Sequence, residues 1–237
     1  MELCNMKQVV VIKIGGKAAQ PETIRNLAKD MKSLESVYSF ILVHGGGAEV
    51  TTLAGRLGLK SVFKDGIRMT GREEMDVVDM VLSGKMNKQI VRLFNTLLKA
   101  AGLTGSDGLL FMGESLEGQG EDATRTGRIT EVNPDILNLL LDNGYTPVVA
   151  STSMDKTGRA LNINADEAAL HLATALKAFR LIYISDIPGI LKNNAVMRRI
   201  TREEAEQEIK AGVINGGMIP KITSSLEALS RGVGGIV

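Results

Sequence analysis

Apolar runs closed by glycine alternate along this chain with stretches whose apolar residues recur at helical spacing. Residues 9–14 predict a strand, 22–34 a helix and 40–43 a second strand. A βαβ opening of this kind implies a parallel sheet covered on both faces. A helix over 48–57 and a short β-rich piece over 62–69 follow. From 72 to 101, the positions Met75, Val78, Val81, Leu82, Ile90, Leu93, Phe94, Leu97 and Leu98 predict one long or broken helix, large enough to be a subunit interface. Between 103 and 129, clusters of Gly, Asp and Thr separate short apolar pieces, so peripheral hairpins are expected. Asn133-Pro134 suits a helix start, and 146–151 return to the sheet as a strand. The last third predicts helix 164–176, strand 180–185, helices 201–211 and 218–231, and the opening of a strand at Val233. Thr201 and Glu204 have capping-box spacing. With no repeat and no Pro/Ser-rich linker, a division into two lobes must fall within a continuous sheet, near 175–180.

Composition narrows the function classes. The 237 residues suffice for a large α/β core without disulfides. Lys and Arg total 28 against 27 for Asp and Glu, so no global field draws the chain to nucleic acid or an acidic membrane. Aromatics are only 3%, too few to build base-stacking platforms. The single cysteine, Cys4, and the lack of a secretory signal or long apolar run point to the reducing cytoplasm. The scattered methionines fit core packing.

Two glycine-rich turns occupy equivalent places after the first two strands: Lys13-Ile14-Gly15-Gly16-Lys17 and His44-Gly45-Gly46-Gly47. In open α/β sheets ligands bind beyond the carboxyl ends of strands, near helix N-termini, so both turns are expected to line one crevice. Glycine lets the backbone approach an anion and present its N–H groups. The sequence holds neither a Walker A pattern nor GxGxxG, so any phosphate needs another cradle.

Lys13 ends a very apolar strand, where a charge is costly without a partner or ligand, so it either has one or snorkels from the strand end. Lys221 falls just inside a new helix, where a cation is unfavourable, so it either meets an anionic ligand or is a solvated surface lysine. Asp166 opens a helical run; it either suits the helix dipole or fixes the two lysines by charge-assisted hydrogen bonds. Asn162 and Asn164 are caps, ligands or both. Arg68 is either a bidentate grip for a carboxylate or an ordinary strand-edge arginine. His44 and His171 have no nearby Ser, Cys or metal-ligand spacing, which argues against a hydrolase triad or zinc site and makes His44 structural. Ser185-Asp186-Ile187-Pro188-Gly189 follows a strand end and either bends round a nucleotide or forms a plain turn.

Six stretches, 13–16, 44–47, 66–70, 162–166, 185–189 and 216–221, resemble in order the amino acid kinase family, and within it the acetylglutamate kinases. The resemblance implies an open three-layer αβα sandwich around a mainly parallel sheet. It places the acyl amino acid in an N-terminal lobe, 1–176, and ATP in a C-terminal lobe, 177–237. It further implies phosphoryl transfer from ATP, accompanied by Mg²⁺, to the γ-carboxylate of N-acetyl-L-glutamate. Lys13 and Lys221 are then expected to neutralise the transferring group, Asp166 to orient them, and Gly16, Gly46 and Gly47 to donate backbone hydrogen bonds. Arg68 and Asn162 are expected at the substrate's α-carboxylate end, Gly46 and Gly47 also contacting the substrate; Ser185, Asp186, Gly189 and Lys221 are expected at the nucleotide. No metal ligand from the protein is expected. A cytoplasmic homodimer without arginine inhibition, with a C-terminal lobe shorter than is usual in the family, completes the expectation. The competing readings are a kinase of another acylated amino acid, such as an aminoadipate derivative, and a ligand-binding regulator that kept the fold without turnover.

Overall fold

The computed structural model describes residues 7–15, 18–64, 66–118, 120–185, 189–192, 195–214 and 218–237. β1 (Gln8–Ile14) leads through α1 (Pro21–Leu34) to β2 (Tyr38–His44), and α2 (Gly47–Arg56) starts directly after the second glycine turn. A hairpin of β3 (Val62–Lys64) and β4 (Ile67–Met69) precedes a three-part helical segment. Its parts are α3 (Arg72–Asp79), a π-helical stretch (Met80–Met86) and α4 (Asn87–Phe94). Next come β5 (Ala100–Leu103), β6 (Phe111–Ser115), β7 (Thr126–Val132), α5 (Asp135–Asp142), β8 (Thr146–Ala150), β9 (Thr152–Met154) and β10 (Ala160–Ile163). The chain then runs through α6 (Ala165–Ala175), β11 (Arg180–Ile184), the small hairpin β12 (Leu191–Lys192) and β13 (Ala195–Val196), α7 (Arg202–Lys210) and α8 (Met218–Ser230).

Five parallel strands form the central sheet in the order β11-β1-β2-β8-β5. Their near-continuous burial follows from helices on both faces. On one face, Val11, Ile41, Val43, Val149 and Leu181 pack with Leu172 of α6 and Ala228 of α8. On the other, Val10, Ile12, Leu42 and Val148 pack with Ile24 and Met31 of α1 and Ile90 and Phe94 of α4. The three layers are those of an αβα sandwich. The strand order reverses at β1, which continues to β2 on one side and pairs with β11 on the other, so the carboxyl end of β1 is a topological switch point.

The helix predicted over 72–101 ends earlier. The Asn95 side chain accepts from the Ala100 N–H at 2.8 Å and donates to the Ala100 carbonyl at 3.1 Å, closing a turn that delivers β5 to the sheet edge. The pieces over 103–129 are more organised than loose hairpins: β6 and β7 close with β9 and β10 into a four-stranded barrel. Thr201 caps α7 with both reciprocal hydrogen bonds of the capping box. Beyond α8, Ile236 bridges Leu181 in parallel, matching the strand expected near Val233. No helix among the described residues is long and apolar enough to cross a membrane.

Candidate active site

Three elements deliver charge to the carboxyl end of β1. Lys13 is the penultimate residue of that strand, Asp166 lies in the first turn of α6 and Lys221 in the first turn of α8. Asn164 caps α6, its side chain accepting from the Asp166 N–H at 2.8 Å, which fixes where the carboxylate points. Asp166 then holds both lysines: Lys13 Nζ lies 2.8 Å from Oδ1 and Lys221 Nζ 3.1 Å from Oδ2. Burial alone would raise the Asp166 carboxyl. The charge and hydrogen bond of Lys13, followed by those of Lys221, outweigh it and hold the group below the ordinary carboxylate range. Lys13 is largely enclosed, with 14% of its side chain exposed, whereas Lys221 at 64% reaches in from the solvent side. Tyr183 stands opposite Lys13 in the β1–β11 register; burial first, then the charge of Asp166, pushes its phenol up, so it stays neutral.

The second glycine turn is built tightly on its inner side. A Cβ on Gly46 would lie 2.1 Å from Met86 Sδ and 2.7 Å from Leu82 Cδ2, both in the π-helical stretch. A Cβ on Gly47 would meet nothing within 4 Å, so that residue faces open space. His44 is fully buried beneath the turn, with Nδ1 3.0 Å from the Gly45 carbonyl and Nε2 3.2 Å from Asn87 Nδ2. A carbonyl acceptor on one nitrogen and an amide donor on the other describe a neutral imidazole. Burial, helped by the charge of Lys88 and opposed by the Gly45 hydrogen bond, pulls it down to about 4.

Arg68 and Asn162 approach from the barrel side. Asn162 Nδ2 donates to Thr70 Oγ1 at 2.9 Å, so the two residues are linked through the strand end that carries Arg68. Met69, Thr70, Gly71, Glu117 and Thr124 border an open cavity of about 500 Å³ beside this point. Arg68 is buried and paired with Glu74 at 2.6 Å. Sequence reasoning missed Glu74 altogether. In the first turn of an amphipathic helix it reads as a dipole-favoured acid, and nothing local shows that its carboxylate turns inward.

Gly15 N donates to the Ile184 carbonyl at 3.3 Å, which sets Ser185 next to the first glycine turn. Gly189 has φ 127°, in the region that favours glycine. Gly16 and Asp186, the other expected contacts, lie outside the described residues. Among the described residues no three His, Cys, Asp or Glu side chains cluster to hold a metal ion.

With two lysines on one carboxylate at a switch point between glycine turns, the arrangement suits a polyanion whose charge is spread over several oxygens. A model described as the amino acid kinase family matches residues 8–237. An acetylglutamate kinase of Carboxydothermus hydrogenoformans is 41% identical over 244 residues, spanning 97% of this chain and 83% of that protein. One of Archaeoglobus fulgidus is 42% identical over 241 residues, spanning 94% and 82%. Among solved structures, smu.665 from Streptococcus mutans UA159 superposes with a TM-score of 0.82 at 28% identity, covering 98% of this chain and 94% of that one. N-acetylglutamate synthase from Neisseria gonorrhoeae, solved with coenzyme A and N-acetyl-glutamate, gives 0.80 at 19% identity over 97% of this chain and 54% of its own, a likeness of fold alone.

Proposed function

This chain belongs to the amino acid kinase family, and from that membership we propose that it transfers the γ-phosphoryl group of ATP to the γ-carboxylate of N-acetyl-L-glutamate, giving an acyl phosphate. The observation that carries this reading is the Lys13–Asp166–Lys221 bridge. A carboxylate acceptor is already ionised at neutral pH, so the reaction needs no general base. What it needs is positioning, together with compensation of the negative charge that spreads over the equatorial phosphoryl oxygens in the transition state.

The two ammonium groups supply that compensation from different sides. Lys13, enclosed on β1, keeps a fixed place, while Lys221 comes with α8. Asp166 holds the two cations close in spite of their mutual repulsion and leaves each with N–H donors for phosphoryl oxygens. The backbone of Gly46 and Gly47 borders the transferring group and the acyl amino acid, and Arg68 and Asn162 take its α-carboxylate end. Ser185, Asp186, Gly189 and Lys221 serve the nucleotide, and Gly16 the phosphates. With its carboxylate committed to the lysines, Asp166 offers no metal cage; Mg²⁺ would arrive on the ATP phosphates and screen their charge. The acyl amino acid belongs to residues 1–176 and the nucleotide to 177–237. A homodimer in the cytoplasm is part of the same proposal and rests on the family resemblance.

Incubation with MgATP, hydroxylamine and a panel of carboxylates tests the reading, because hydroxylamine traps acyl phosphates as coloured hydroxamates. Product with N-acetyl-L-glutamate, and little with glutamate or N-acetyl-aminoadipate, is the expected result. Product with a different acyl amino acid reassigns the substrate, and nucleotide binding without any hydroxamate overturns catalysis.

A further inference from the structure

The guanidinium of Arg68 is almost fully committed. Nη1 donates to Glu74 Oε1 at 2.6 Å and to the Ser61 hydroxyl; Nη2 donates to the Gly47 carbonyl at 2.9 Å and to Thr51 Oγ1 at 2.5 Å. These four acceptors use the four terminal N–H bonds, and only Nε–H remains of the five that a guanidinium carries. Ser61 also donates to Glu74 Oε1 at 2.6 Å, and the Phe63 ring lies 4.7 Å from the guanidinium carbon. Arg68 is 8% exposed and Glu74 6%. No fully enclosed side-chain nitrogen or oxygen among the described residues lacks a hydrogen-bond partner, so the unpaired Nε opens onto accessible space.

The four acceptors differ in how readily they yield. Glu74 is charged and buried, and parting it from Arg68 would leave two uncompensated charges in the interior. Thr51 is a neutral hydroxyl on the exposed face of α2, whose own proton goes to the Gly47 carbonyl at 2.9 Å. Nε and Nη2 share one edge of the planar guanidinium, the geometry that meets a carboxylate with two parallel hydrogen bonds. With Thr51 the acceptor that yields, an incoming carboxylate takes Nε–H and an Nη2–H, while Glu74 and Ser61 keep Nη1.

We propose that Glu74 is a positioning residue for the substrate site: it pins Nη1 of Arg68 so that the Nε/Nη2 edge, beside Gly47, is the one that a substrate carboxylate meets. This inference rests on the reading above that Arg68 receives the α-carboxylate. Glu74 touches no substrate. Its effect is therefore confined to how well the enzyme distinguishes a carboxylate at that end, and leaves phosphoryl transfer itself unaltered.

The test compares N-acetyl-L-glutamate with its α-carboxamide analogue in the wild type, Glu74→Gln and Ser61→Ala, with circular dichroism to establish folding. In Glu74→Gln we expect KM for N-acetyl-L-glutamate to rise about tenfold, the scale of weakening one hydrogen bond to a charged group. The preference for carboxylate over carboxamide should fall by the same factor, with kcat and KM for ATP within about twofold of wild type. Ser61→Ala, the milder change, should move in the same direction, and it serves alone if Glu74→Gln fails to fold. A folded Glu74→Gln that keeps the full preference overturns the inference, as does a loss confined to kcat. Calorimetric titration of both ligands into the same proteins reads the preference without turnover, so an inactive wild type would refute the proposed catalysis and still decide the role of Glu74.

Discussion

The Nε2 atom of His44 faces Nδ2 of Asn87 at 3.2 Å, and through this contact the end of β2 is tied to the first residue of α4. The same Asn87 nitrogen lies 2.8 Å from the Val148 carbonyl, and the other imidazole nitrogen 3.0 Å from the Gly45 carbonyl. The second glycine turn thus rests on a buried polar network shared by two strands and a helix. The Asn87 end of that network requires His44 to be neutral, because Nε2 accepts there, whereas the Gly45 end needs only the proton on Nδ1.

Stability should therefore fall in mild acid. The unfolded chain binds a proton on this histidine near 6.5, while the native state resists until about 4. Between those values the unfolded state holds more protons, so the unfolding free energy drops as pH falls. At 1.36 kcal/mol per pH unit, the full loss is roughly 3 kcal/mol, complete near the lower value. His171 is lowered as well, chiefly by burial, and acts in the same direction. Urea unfolding of wild type and His44→Gln at several pH values between 7 and 4 should show a shallower acid slope in the variant; equal slopes would refute the assignment.

Removing either lysine should stop the chemistry and spare the fold. By comparison with deletion of a single oxyanion-stabilising contact, Lys13→Ala or Lys221→Ala should raise the barrier by about 3–4 kcal/mol and lower kcat at least a hundredfold. The change at Lys221, whose side chain is 64% exposed, should leave the melting temperature close to wild type. Near-normal turnover in either variant would remove that lysine from the mechanism.

The two neighbouring glycines should respond differently to a methyl group. Gly46→Ala forces the new carbon onto Met86 and Leu82, an overpacking that costs about 1–3 kcal/mol. Gly47→Ala meets no atom within 4 Å and should fold as the wild type does. Its kcat/KM should nevertheless fall if the phosphoryl group or the substrate comes against this backbone. Thermal melts paired with hydroxamate assays separate the two effects.

The N-cap of α6 links stability to geometry. Asn164→Ala removes the acceptor for the Asp166 N–H, at a cost of about 1 kcal/mol. For a protein of this size that is a fall of about 2–4 °C in Tm. Because the same turn aims Asp166 at the lysines, turnover should drop with it, whereas Asn164→Ser or Asn164→Asp should restore both. A variant with lower Tm and unchanged kcat would separate capping from aiming.

The order of strands and helices was legible because each parallel strand announces itself as an apolar run between turns, as at β1, β2, β8 and β11. The bridge between Lys13, Asp166 and Lys221 was also within reach: a lysine at a strand end and another in a first helical turn both gain from a nearby anion, and Asp166 opens the helix beside them. What escaped reading were contacts between residues remote in sequence that look ordinary locally. Glu74 resembles any acid at a helix start, and Asn87 any polar residue in a helix. The barrel of β6, β7, β9 and β10 escaped because its strands are short and the two pairings that close it, β6–β9 and β7–β10, join segments separated by α5 and β8. The end of the long helix turned on one carboxamide, Asn95, whose two bonds to Ala100 outweigh the apolar periodicity that continues through Leu98.

The fit of Met86 and Leu82 against Gly46 also constrains how this site can diverge. A lineage that acquires a larger residue at 46 before shortening the side chains at 82 and 86 passes through a strained intermediate, whereas the opposite order passes through a mere void. Substitutions at these positions, far apart along the chain, are consequently accessible in one sequence of steps and obstructed in the other.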